Sequence, residues 1–251
     1  VKALMLVVLL AAGARAQTAA DAQKKYDAGD YAGAAAAYAQ LAQKQPRESA
    51  WRYDLGNADF KQGRLGPAIA SYERAFELAP RDGDIRFNLD FALKRAGEEL
   101  VPAGVPPLLF SLFHLLSGAE LAGLHWLSCW AALLLGAAWL LRPSSRGALG
   151  PWAAGALAAW LVFGAWWGAR LAVEPQRLGV VIAPTAELRS GPGDGFPVSF
   201  TVPEGRRVEL VSEEGPWLEV VLPKEGAKGF MRADSVETIE PPEEGSNPFR
   251  G

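Results

Sequence analysis

The side chains with the most reactive chemistry are few and poorly placed for it. Histidine occurs twice, His114 and His125, and cysteine once, Cys129. All three fall in or beside one apolar stretch, where a water-facing nucleophile or zinc site has no partners. The chain has no Gly-x-x-x-x-Gly-Lys-Ser/Thr phosphate loop, no His-Glu-x-x-His pair and no Gly-x-Ser-x-Gly elbow. Carboxylates are plentiful, but Glu213-Glu214 and Glu243-Glu244 stand in turn or tail contexts and read as solvated charge. No catalytic residue, cofactor or metal is therefore expected. A single cysteine excludes a disulfide within the chain. The net charge of −3 and the absence of a basic patch with interleaved aromatics argue against nucleic acid. Contact chemistry is better represented. Tyr53, Asn57 and Lys61 stand at i, i+4 and i+8, on one face of a helix. Tyr26 precedes them, and Arg189, Phe196 and Trp217 are candidates in a later stretch of different pattern.

The first four belong to an Ala-rich helical region, 17–100, with an internal period of 34 residues. Gly29, Tyr31, Ala34, Tyr38, Leu41 and Pro46 recur as Gly63, Leu65, Ala68, Tyr72, Ala75 and Pro80. Small Gly56 and Ala68 permit close approach of paired helices, and Pro80 ends a unit. Two units are predicted, followed by a lone first helix, Asp84–Arg95, that covers the apolar face of the array. Period and pattern resemble tetratricopeptide repeats, an all-α family of antiparallel helix pairs. The resemblance implies binding of peptides or partner domains in a groove lined by first helices. The matching positions are Tyr26, Tyr53, Asn57, Phe60, Lys61 and Phe91, of which Phe60 and Phe91 also read as packing residues. Asn57 and Asn88 resemble two members of the clamp with which some relatives grip a carboxyl terminus, with Tyr53 standing in the place of its lysine.

Two apolar segments, Leu121–Leu141 and Trp152–Val173, are each long enough to cross a hydrocarbon core of roughly 30 Å. The rival reading is a pair of buried helices in a soluble domain. The loop 142–151 carries Arg142 and Arg146 and no acid, which places it in the cytoplasm and the rest of the chain outside. Seven of the nine tryptophans lie in this hairpin, five of them near segment ends, where an indole favours the headgroup layer. Residues 1–16 read as a secretory signal peptide ending at Ala14-Arg15-Ala16, with an uncleaved anchor as the alternative. Residues 101–120 read as a proline-punctuated linker and interfacial segment, with His114 and Glu120 near the outer surface.

Beyond Val173 short alternating runs appear. Gly179–Ile182, Arg207–Val211, Trp217–Leu222, Lys228–Met231 and Val236–Ile239 are predicted strands of a small all-β barrel over 176–240, and 241–251 reads as a disordered tail. Ala186-Glu-Leu-Arg-Ser-Gly-Pro-Gly193, Pro203-Glu-Gly205, Gly215-Pro-Trp217 and Lys228-Gly-Phe230 resemble, in order, the landmarks of bacterial SH3-like domains. Gly191 and Gly193 are expected to serve turn geometry, and Trp217 to cover one end of the barrel with its indole nitrogen accessible. Relatives of that family bind peptides or peptidoglycan, which makes Arg189, Phe196 and Trp217 contact candidates.

The whole order resembles the E-component family of the bacterial aerotolerance (Bat) operon proteins. It implies a multidomain inner-membrane protein with two spans and both modules in the periplasm. Its expected role is a non-catalytic scaffold recruiting envelope proteins or peptides, von Willebrand-type membrane proteins among them. The alternative is a tether that fixes the complex to peptidoglycan through the SH3-like domain.

Overall fold

The computed structural model describes residues 18–173 and 177–239. The predicted signal peptide, 1–16, and tail, 241–251, lie outside the described residues. The described chain forms two compact units: one joins the helices up to Gly104 to the strands that begin after Arg177, and the other starts at Val105 and contains the two long apolar helices.

In the first unit five helices follow one another: α1 (18–27), α2 (Tyr31–Lys44), α3 (Ser49–Lys61), α4 (Leu65–Leu78) and α5 (Gly83–Arg95). Gly29, Gly63 and Gly97 end α1, α3 and α5 with φ of 81°, 78° and 74°. Only a residue without Cβ adopts this left-handed conformation cheaply, so the 34-residue spacing of these glycines is the spacing of the turns. Asp30 and Asp82 cap α2 and α5, accepting from the backbone N–H groups of Gly33 and of Asp84 and Ile85. The helices pack through small residues. A Cβ on Gly56 would stand 2.6 Å from the ring of Tyr72, so that position requires glycine for the α3–α4 contact. Helix α4 buries Gly66 to Glu73 without interruption, more than one stripe, because neighbours cover it on several sides.

One of those neighbours is the β-sheet. Its strands are β1 (Leu178–Val181), β2 (Thr185–Arg189), β3 (Val198–Pro203), β4 (Arg207–Glu214), β5 (Trp217–Leu222), β6 (Ala227–Arg232) and β7 (Val236–Ile239). All described pairings are antiparallel, in the order β3-β2-β6-β5-β4-β1-β7. Val181, Leu188, Val202, Leu210, Leu218, Met231 and Val236 share one core, so side chains from all seven strands meet. The expected closed barrel is not formed: β3 and β7 are the two edges, and β2 meets β6 through the single pair Arg189 and Phe230. Bulges at Leu188/Arg189 and Leu210/Ser212 bend the sheet around its core without a ladder to join its ends. The strands β1 and β7 lie against α4, and the sheet thereby shares with α5 the covering of the repeat's last helix pair.

That contact is polar and close. The Gly66 N–H donates to the Glu204 carboxylate at 2.8 Å. Arg74 pairs with Glu237 and donates to the Thr238 carbonyl at 2.6 Å. Arg206 reaches Glu98 at 3.1 Å and pairs with Glu225, and Arg207 reaches Glu73 at 3.4 Å. Gly205, at φ 85°, packs where a Cβ would lie 2.8 Å from that of Ala96.

The second unit contains α6 (Pro107–Phe113), α7 (Gly118–Leu141) and α8 (Arg146–Val173). Ser117 and Glu120 form a capping box that starts α7, which gives Glu120 a structural task. Helix α8 begins six residues before the predicted span, so the expected loop 142–151 shrinks to Arg142 and a 3-10 turn, Pro143–Ser145. Pro151 stands inside α8 and removes one backbone bond without ending the helix. Arg146 donates to the Trp139 and Leu140 carbonyls and covers the Trp139 ring, satisfying the C-terminal carbonyls of α7. At the other end Trp166 Nε1 donates to the Phe113 carbonyl at 3.2 Å and Arg170 to that of Leu116 at 2.8 Å. Both long helices are apolar enough to cross a membrane, with mean hydropathy 1.6 and 1.5, and none of the apolar window in either is buried.

Candidate functional site

The inner face of α1, α3 and α5 forms a groove of about 360 Å³ lined by Tyr26, Tyr53, Asn57, Phe60, Lys61, Tyr72, Phe87, Asn88 and Phe91. Four candidates singled out from sequence, Tyr26, Tyr53, Asn57 and Lys61, are brought together here. A polar network crosses the groove floor. Asn88 Nδ2 donates to the Tyr53 hydroxyl at 2.9 Å and to Asn57 Oδ1 at 3.0 Å, and the Tyr72 hydroxyl donates to the same Asn57 oxygen at 2.8 Å. Asn57 therefore supports the floor as well as lining it. Burial pushes up the phenol pKa values of Tyr26, Tyr53 and Tyr72, so these hydroxyls remain neutral donors throughout the physiological range.

The walls are apolar and open to solvent. Phe87 is 69% and Phe91 51% exposed, and their rings stack at 6.5 Å between centroids. Phe91 also tilts against Phe60 at 5.8 Å, and Arg95 lies over Phe60 at 5.6 Å. Phe91, expected as a packing residue, thus leaves half its surface free. Phe87 and Tyr72 were not among the sequence candidates. The 34-residue period was the signal that could have found Phe87, since it superposes Phe87 on Tyr53.

Asp54 follows Tyr53 on α3, is partly buried and is not one of the residues lining the groove. Burial alone raises its carboxyl pKa to about 6, and its charge bears on Tyr26, Tyr38, Tyr53 and Tyr72. A folded-state pKa above the unfolded value means that the native state binds more protons between the two. Stability is then greatest at low pH and falls as pH rises through about 6. Asp54→Asn is expected to raise the melting temperature by roughly 2–4 °C at pH 7.5 and to leave it nearly unchanged at about pH 3.5, below the ordinary carboxyl value of 3.8. Thermal melts of the full chain in non-ionic detergent check this; an equal gain at both pH values would show that ionisation is not the cost.

The three strand-borne candidates are not gathered into a comparable surface. Arg189 is occupied in holding its own loop, donating to the Asp194 and Phe196 carbonyls at 2.8 and 2.7 Å. Trp217 is only 6% exposed, with the Arg232 guanidinium over its ring at 5.7 Å, a packing environment rather than an open stacking platform. Phe196 is exposed, and its ring lies against Gly191, where a Cβ would come within 2.5 Å. Gly191 and Gly193 do not take positive φ; close approach of Phe196, not turn geometry, is what Gly191 provides. Among the described residues no cluster of three or more His, Cys, Asp or Glu is placed to hold a metal ion.

Comparison with known proteins agrees with the helical part. The tetratricopeptide repeat family model matches residues 25–86. The array is similar to tetratricopeptide repeats in sequence, period and turn geometry. No curated protein matches the chain. Tetratricopeptide repeats are typically non-catalytic and bind proteins or peptides, which suggests a protein-interaction scaffold.

Proposed function

We propose that the protein is a membrane-anchored, non-catalytic scaffold whose repeat groove binds a peptide segment of a cell-envelope protein. The observation that carries this reading is the groove itself, with solvent-open aromatic walls over a satisfied polar floor. Exposed rings beside fixed amides and hydroxyls are what a peptide needs for apolar anchoring and hydrogen-bonded register. Membrane anchoring is supported by α7 and α8. It is supported also by a topological requirement: the repeat and the sheet touch, so they occupy one side of any membrane, and a hairpin of two crossings returns the chain there.

Arg142 and Arg146 at the tip of the hairpin support an orientation with the tip in the cytoplasm and the first unit in the periplasm. The sheet is read as an SH3-like module that has opened at β3 and β7, and the order of parts as that of the Bat E-component family, with von Willebrand-type membrane proteins among the partners. Peptidoglycan tethering draws less support, because Trp217 is buried and Arg189 is engaged.

A photocrosslinking amino acid at Lys61, in the native membrane, is expected to trap a protein partner. Phe87→Ser with Phe91→Ser is expected to reduce the adduct by roughly tenfold or more while melting stays near that of the parent, since Phe87 is largely and Phe91 half exposed. No adduct at Lys61, or one indifferent to the double substitution, overturns the reading.

A further inference from the structure

A second cleft, of about 370 Å³, lies between α2 and α4 and shares no lining residue with the groove. One wall is the alanine face of α2, formed by Ala32, Ala35, Ala36 and Ala39; Pro67 and Ser71 of α4, Glu237 of β7, and Leu55 and Asp59 of α3 complete it. The 34-residue period carries the four alanines onto Gly66, Ile69, Ala70 and Glu73 of α4. In α4 that face is where the sheet is seated. A Cβ on Gly66 would meet the backbone of Val181 and Ile182, Ile69 lies against Gly205, Ala70 is fully buried, and Glu73 meets Arg207. The same face of α2 lacks this cover, and Ala32 and Ala36 are exposed.

The cleft also holds polar groups that the free protein leaves unmet. Ser71 is 2% exposed, and its hydroxyl makes no hydrogen bond among the described residues. Asp59 is 3% exposed and commits one oxygen to Arg64 at 3.0 Å, with no partner for the other among the described residues. Buried oxygens without a partner are costly, and a ligand N–H relieves them. An ion is not called for. Asp59 already faces Arg64, Glu237 faces Arg74, and Arg52 is near enough to feel both members of that second pair. Neutral N–H groups between small apolar walls are what an extended backbone presents, and the chain at Val181 and Ile182 fills the equivalent place over α4. We infer that the cleft is a second protein-binding site, which takes an extended, uncharged segment of a partner protein whose backbone N–H groups reach Ser71 and Asp59. It is independent of the groove and makes the repeat array a scaffold for two ligands at once.

The test uses the full chain in non-ionic detergent, immobilised and presented with a phage library of random dodecapeptides. Ala36→Trp fills the cleft from an exposed position on α2. The wild type is expected to select a class of peptides, without an excess of charged residues, that Ala36→Trp no longer holds and the Phe87→Ser/Phe91→Ser chain still holds. For the strongest of these, Ser71→Ala is expected to weaken binding roughly tenfold. Melting of Ser71→Ala is expected at or slightly above that of the parent, because the hydroxyl it removes makes no bond in the free protein. A photocrosslinking amino acid at Gln40, exposed and one turn beyond Ala36, is expected to trap another protein in the native membrane. No peptide class specific to the cleft, Ser71→Ala binding like the parent, or Ser71→Ala melting well below it overturns the site and leaves the groove reading untouched. An adduct of the chain with itself overturns the partner protein as occupant in favour of a second copy.

Discussion

A single methyl group at Gly66 is expected to destabilise the first unit by about 3 kcal/mol, the upper end of what overpacking costs. The added Cβ would lie 2.3 Å from the Val181 carbonyl oxygen and 2.9 Å from the Ile182 Cα. Both are backbone atoms, so no side-chain rotation relieves the clash; either α4 or β1 must move. Movement would also stretch the bond from the Gly66 N–H to Glu204 and disturb the Val181 backbone, which donates to the Arg206 carbonyl and accepts from the Gly205 N–H. Gly83→Ala is the control: nothing lies within 4 Å of its Cβ position, and it is expected to be neutral or slightly stabilising. Hydrogen exchange on the full chain should show faster exchange in 66–76 and 178–182 for Gly66→Ala, with protection inside β4–β6 retained. Unchanged melting and exchange would mean that repeat and sheet are not held by this contact.

That contact was not legible in the sequence, and the reason is physical. Periodicity reports elements that bury a stripe or a face, and it brought out the 34-residue turns at Gly29 and Gly63, helix α5, and the two apolar helices. The repeat–sheet contact is built instead from two glycines, Gly66 and Gly205, and from Arg206 and Arg207 reaching Glu98 and Glu73. Such residues occur at turns and surfaces everywhere, and their partners lie more than a hundred positions away. Strand β3 was missed for a related reason: it is an edge strand with five of its six residues exposed, so it has no buried face to alternate. In the groove, residue type identified Tyr26, Tyr53, Asn57 and Lys61, while Phe87 is marked only by the 34-residue period that superposes it on Tyr53. Trp217 misled in the other direction: a tryptophan after a turn reads as an exposed platform until burial by Arg232 and the strand ends is visible.

Removal of Arg206 is expected to be as damaging as the methyl at Gly66, for an electrostatic reason. Its side chain is 11% exposed and faces Glu98, itself 10% exposed, at 3.1 Å; the next cation near Glu98 is Arg207 at 3.8 Å. Arg206→Met would leave the Glu98 carboxylate buried with only that longer pairing, and loss of one partner of a buried pair costs roughly 3–5 kcal/mol. Glu225, the other partner, is 30% exposed and can turn to water. The pair itself need not be strongly stabilising, because desolvation offsets most of its attraction, and so Arg206→Met combined with Glu98→Met is expected to recover most of the loss. Urea melts of the three chains in detergent measure this. A single substitution that melts like the parent, or a double that is as weak as the single, would show that the ion pair does not carry the contact. The consequence extends to binding. Arg206 also donates to the Gly97 carbonyl at the end of α5, and α5 supplies Phe87, Asn88 and Phe91 to the groove. Loosening that end lets α5 fray, so Arg206→Met should weaken peptide binding without touching the groove, and the Glu98→Met partner should restore it.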